Sequence, residues 1–317
     1  MLGQGLALAQ LPPVSNGSSA LLECAQFLDG WSWGSVRTAD LHIAGETASS
    51  VPIEVIGDPG YPDSLIPSTC ANVPGGSVED SVSQFGANAI LGVGAFVQDC
   101  GNGCASGAQD GSFYNAYTLA APVSCTPTTT SVQVSNPVAY FATDNDGVVV
   151  TLPSVSDGGA ASVAGTLTFG VASPADNALG AASIFQLDAS NGTLLTQFNG
   201  GSLGESFLDS GSDGLFFPDA AIATCPGAAA FFCPASPLPF NGVIQGTNGT
   251  TATIAFSVDS ADSFASTVTA TPTLAGPIGS TLSQTFDWGL PFFYGRKVYA
   301  GLETSVVGGV AGPAVAF

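Results

Sequence analysis

A chain of 317 residues with 24 acidic side chains, three basic ones (Arg37, Arg296 and Lys297) and one histidine, His42, has almost nothing to set against a phosphate array. That balance excludes nucleic acid and an anionic membrane surface as partners. One histidine also rules out His-rich metal centres, and Gly-rich phosphate loops are absent, so no cofactor is expected and the chemistry left is that of carboxylates.

Short apolar runs are broken by turn residues about every eight to twelve positions, which predicts an all-β chain. Asn-Gly pairs at Asn16, Asn102, Asn191, Asn199, Asn241 and Asn248 and Asp-Gly pairs at Asp29, Asp110, Asp146 and Asp213 supply tight hairpins. The opening MLGQGLALAQLPP contains Ala-Leu-Ala but no basic stretch, and its apolar run is too short for a signal peptide. No segment is long and apolar enough to span a bilayer as a helix. FLDGWSWG, 27–34, reads as a hairpin in which Trp31 and Trp33 alternate onto one strand face, a pattern that favours packing on a sheet over ligand contact. His42 lies in ADLHIAG, an alternating stretch in which it reads as a strand residue rather than a catalytic base. CGNGC has no fourth ligand nearby for zinc, and TDNDGVVV packs its acids too closely for an EF-hand, so no metal site is expected.

Seven cysteines in a turn-rich chain point to an oxidising compartment, outside the cell or in its envelope. Cys225 and Cys233 bracket PGAAAFF and suit a local bridge; Cys24 with Cys70, and two of Cys100, Cys104 and Cys125, complete three and leave one thiol over. A Ser/Gly/Ala stretch at 153–165 separates two β domains, 1–155 and 156–317. Further on, FLDSGSDGLFF, 207–217, sets a carboxylate between two apolar runs.

An apolar pair followed by Asp-Ser-Gly-Ser and a second apolar run resembles the active-site loop of pepsin-like aspartic peptidases. The resemblance makes Asp209 the catalytic group, with Ser210, Gly211 and Ser212 in support: Gly211 admits a facing loop and Ser212 bonds the carboxylate. AILGVGAF at 89–96, GTLTFGVASPADNALGAASIFQL at 165–187 and FDWGLPFFYGRKVYAGLE at 286–303 are similar to later segments of such enzymes, in the same order. The 27–34 hairpin matches their flap, with Phe27 near the flap tyrosine and Asp29, Trp31 and Trp33 beside it as cleft candidates. ECAQFLDGWSWG, IPSTCANV and SNPVAYFATDNDGVVVTLP more closely resemble a bacterial, pepsin-related domain family of unknown function that is commonly exported.

The resemblance implies a bilobal, pepsin-like barrel fold with a peptide or protein substrate in the cleft between lobes. It also exposes a gap. Residues 1–26 contain one acid, Glu23, and no first Asp-Thr-Gly loop, so the amino-terminal lobe reads as truncated, with the missing loop falling just before Met1 by spacing. Asp209 is then expected to lack the second carboxylate with which a dyad shares a proton, and the chain to be inactive as a peptidase. The late Leu-Gly-Asp carries Leu290-Pro291 instead, and relatives tend to have a cysteine near Tyr117, which would account for the odd thiol.

Overall fold

Alternation along the strands sets the two faces of each sheet. In Leu194–Phe198 the side chains of Leu194, Thr196 and Phe198 are buried while Leu195 and Gln197 turn to the other side, the period of two that a pleated strand imposes. The computed structural model describes residues 3, 6–27, 29–73, 75–107, 112–118, 121–122, 125–171 and 177–317. It is mostly β, with short helical turns, and has two compact units, Met1–Asn145 and Asp146–Phe317.

The first unit holds a seven-stranded sheet whose main path runs Glu46–Ile56, Gly30–Ile43, Ser19–Gln26, Ser112–Thr118, Ala121–Pro122. Its central strand, Ser19–Gln26, is buried on both faces from Leu21 to Cys24. Leu21 packs with Val14, Val36, Cys104 and Tyr114. Leu22 and Cys24, on the opposite face, pack with Trp33 and Cys70, and Trp31 adds to the edge of that cluster. Both tryptophans therefore pack around the Cys24–Cys70 bridge, as their alternation predicts. By the same alternation Glu23 falls on the Leu21 side, toward Tyr114.

The second unit contains a five-stranded sheet, ordered Ile184–Gln186, Ala314–Ala316, Lys297–Gly301, Gly147–Thr151, Thr166–Phe169. Gly147–Thr151 pairs along its length with Lys297–Gly301, so this strand goes with the second unit and the division falls at 145/146, ahead of the 155/156 position expected from composition. A seven-stranded sheet follows the order Thr251–Val258, Leu238–Gln245, Leu194–Phe198, Gly201–Leu208, Asp287–Trp288, Leu215–Phe217, Ala275–Pro277. Its core is aromatic: Phe217 stacks on Phe286 at 4.9 Å, Phe286 on Trp288 at 4.0 Å, and Phe198 meets Phe217 edge-on at 4.9 Å. The Trp288 indole donates to Thr196 Oγ1 at 3.0 Å, which removes the cost of burying its N–H.

Three disulfides join Cys24 to Cys70, Cys100 to Cys104 and Cys225 to Cys233. They fit an oxidising environment. Cys125 lies outside them, its Sγ donating to Gly107 O at 2.9 Å. Among the described residues no helix is long and apolar enough to cross a membrane. His42 is an exposed strand residue whose Nδ1 lies 3.1 Å from Thr47 Oγ1.

Candidate functional site

Asp209 follows directly on the strand Gly201–Leu208. That strand runs parallel to Asp287–Trp288, with Phe207 opposite Asp287 and Leu208 opposite Trp288, and Asp209 N donates to Trp288 O at 3.1 Å. After the loop the chain returns as Leu215–Phe217, antiparallel to the same two residues. Asp287 is thus held between the outgoing and returning arms of the Asp209 loop.

The loop closes on its own carboxylate. Gly211 N donates to Asp209 Oδ1 at 2.8 Å and Ser212 Oγ to Asp209 Oδ2 at 2.9 Å, the bond expected of Ser212; Ser210 is exposed in the turn. The close approach assigned to Gly211 occurs elsewhere. The atoms nearest a Cβ on Gly211 would be those of the Asp209 carboxyl, the first at 3.0 Å, whereas a Cβ on Gly289 would come within 2.0 Å of Gly214 O and 2.8 Å of Ser212 O.

One expectation is corrected here: the Asp209 loop does have a second carboxyl within hydrogen-bonding reach. Ser212 Oγ lies 2.6 Å from Asp287 Oδ2 as well. A hydroxyl carries one proton, so both contacts are hydrogen bonds at once only when one of the two carboxyls is protonated and supplies its own. Burial, with Asp209 and Asp213 adding repulsion, outweighs the Ser212 bond and pushes the Asp287 carboxyl up to about 7. Asp287 is 6% exposed and its Oδ1 has no hydrogen-bond partner among the described residues. In the sequence FDWG enters only as the start of the late segment 286–303, with no role given to Asp287, and the register Phe207 to Asp287 reveals the acid beneath the loop.

In the first unit a cavity of about 500 Å³ is walled by apolar side chains, among them Phe27, Leu41, Ile53, Ile56 and Ile90, and by the carboxyls of Glu23, Glu54 and Asp99. Glu23 and Glu54 are 2% and 8% exposed; Asp99 stands exposed. Ser32 Oγ donates to Glu54 Oε2 at 2.8 Å. Tyr114 Oη lies 2.8 Å from Asp99 Oδ1 and 3.5 Å from Glu23 Oε1, and accepts from Val134 N at 2.7 Å. Burial, reinforced by the Asp99 and Glu54 charges, raises the Glu23 carboxyl well above the ordinary range, and burial lifts Glu54 to about 7 against the Ser32 bond. The readable signal for both acids is a carboxylate inside an apolar strand, in ALLECAQF and VPIEVI.

Of the hairpin candidates, Phe27 lines this cavity and meets Phe85 edge-on at 6.4 Å. Asp29 is exposed in the turn, and Trp31 and Trp33 serve the disulfide cluster described above. The only His/Cys/Asp/Glu cluster among the described residues tight enough for a metal ion is Cys225, Cys233 and Asp262, and its two sulfurs are bonded to each other.

These features define a class: an all-β, disulfide-bridged protein with buried, proton-holding carboxyls in each of two units. Residues 2–317 match the family described as "Protein of unknown function (DUF3443)", and the chain belongs to that family. No curated protein matches it.

Proposed function

We propose that this is an exported protein built on the aspartic-peptidase plan, which binds peptide without hydrolysing it. The sequence support is FLDSGSDGLFF with its ordered flanking segments. On the structural side, the Asp209 loop leaves and re-enters its sheet on either side of Asp287–Trp288 and presents a carboxylate between two strands. Export is supported by three disulfides and by the scarcity of lysine.

The observation that carries the absence of hydrolysis is the Ser212 hydroxyl set between the two acids of the second unit. Cleavage by paired carboxylates needs one ionised and one protonated group acting on the same water. Asp287 is buried behind Ser212 and reaches Asp209 only through that hydroxyl, so its proton is not delivered to a substrate. The test is incubation of the full chain with a denatured protein from acid to neutral pH, alongside fluorescence anisotropy of labelled extended peptides. The reading expects saturable peptide binding and no cleavage. Cleavage abolished by Asp209→Asn would overturn the first half, and absence of peptide binding the second.

A further inference from the structure

The first-unit cavity has the chemistry of a binding site, and neither Asp209 nor Asp287 is among its lining residues. Its walls are apolar, and its polar groups are dominated by carboxyls: Glu23 and Glu54 buried, Asp99 exposed, with no Lys, Arg or His among the lining residues. Glu23 Oε2 is buried without a hydrogen-bond partner. Leaving such an atom unsatisfied carries its full desolvation cost, which a donor arriving with a ligand would remove. The size, about 500 Å³, falls in the range of small-molecule sites, which are mostly apolar with a few convergent polar groups.

A tight divalent-metal site is not what these acids form. Among the described residues the clusters close enough to share one ion do not include Glu23, Glu54 and Asp99. An anion would meet three carboxyls. A neutral apolar molecule would fill the walls and leave Glu23 Oε2 as it stands. A cation attached to an apolar body answers every feature, because its ammonium protons satisfy the carboxyls while its hydrocarbon part covers Ile53, Ile56 and Ile90, the last of them 55% exposed.

We propose that this cavity binds a compact apolar molecule bearing one ammonium group, with the ammonium against Glu23 and Asp99. Burial holds Glu23 and Glu54 above their ordinary range, and an ammonium beside them favours the ionised form, so that binding releases protons to solvent.

The test uses decylamine, decanol and decanoate as probes of one chain length and three head groups, titrated calorimetrically into the full chain at neutral pH below their aggregation concentrations. Decylamine is expected to saturate one site per chain and to bind about tenfold tighter than decanol, the worth of a charge-assisted hydrogen bond; decanoate is expected to be weakest. The binding heat of decylamine should vary with the ionisation enthalpy of the buffer, while that of decanol does not. Glu23→Gln should bring decylamine down to the decanol level, and Asp99→Asn should weaken it too. Decanol or decanoate binding as tightly as decylamine overturns the proposal. So does decylamine binding in many equivalents and unaffected by either substitution, which is adsorption on a chain of net charge −21. If Glu23→Gln fails to fold by near-ultraviolet circular dichroism, the three-probe comparison on the unaltered chain decides the matter.

Discussion

Ser212 has one proton and two carboxyl neighbours, and this arithmetic sets the chemistry of the second unit. The proton that completes the chain belongs to Asp287, which burial keeps up to about 7 against an ordinary 3.8. Asp287→Asn, which keeps the shape and removes the charge, should therefore leave stability nearly unchanged below the ordinary 3.8, raise it progressively as pH climbs from there, and raise it by on the order of 2 to 4 kcal/mol above pH 8, as measured by urea unfolding. Asp209 and Ser212 were legible in the sequence because their bond is local, three residues apart. Asp287 was not, because it reaches the same hydroxyl across 75 residues and only through strand register. Glu23 and Glu54 were half legible: a carboxylate in an apolar strand is visible in the sequence, but the cavity they share comes from packing.

At the scale of elements, some hairpins followed from their turn residues, but not all of the pairs expected to make them did: Asn102-Gly103 lies in the helix Gly101–Ser106 and Asn241-Gly242 inside the paired strand Leu238–Gln245. The Asn16-Gly17 turn joins two paired strands, with Gly17 at a φ of 63° that suits glycine. The fit of the Asp209 loop on its neighbouring strand followed from no local signal. It depends on Gly289, where a side chain would collide with backbone at Gly214. Gly289→Ala should cost about 1 to 3 kcal/mol, read as a lower urea midpoint with an unchanged slope. An unchanged midpoint would show that the loop does not sit this close. The segment 89–96, whose Gly-rich apolar sequence echoes a strand near the end of each half, carries no strand pairing, and Leu91 stands exposed beside Ile90. Apolar sequence alone does not make a strand, which also needs a neighbour for its backbone groups.

Over the whole molecule, acidity and burial act together. A charge of −21 at neutral pH shrinks as carboxylates protonate, which reduces self-repulsion in acid. Glu23, Glu54 and Asp287 all have raised values in the fold, so the folded chain binds more protons than the unfolded chain between the ordinary 4.5 or 3.8 and the raised value, about 7 for Glu54 and Asp287. Their contribution is complete below the ordinary values and lost as pH rises through about 7. Asp58 works in the opposite direction. Burial pushes it up, but bonds from Ser35, Gly60 and Arg37, the last at 2.9 Å, hold it below 3.8, so its contribution is present above that value and lost as pH falls through the lowered one. The melting temperature should rise from neutral pH to a maximum at about pH 4 to 5 and fall below it; a steep fall between pH 7 and pH 4 would contradict this balance. The measurement that bears most directly on the account is a carbon-13 NMR titration of the aspartate carboxyls in the intact chain, assigned with Asp287→Asn. Asp287 is expected to titrate at about 7. An Asp287 carboxyl titrating at its ordinary 3.8 would contradict the assignment of the shared proton to it.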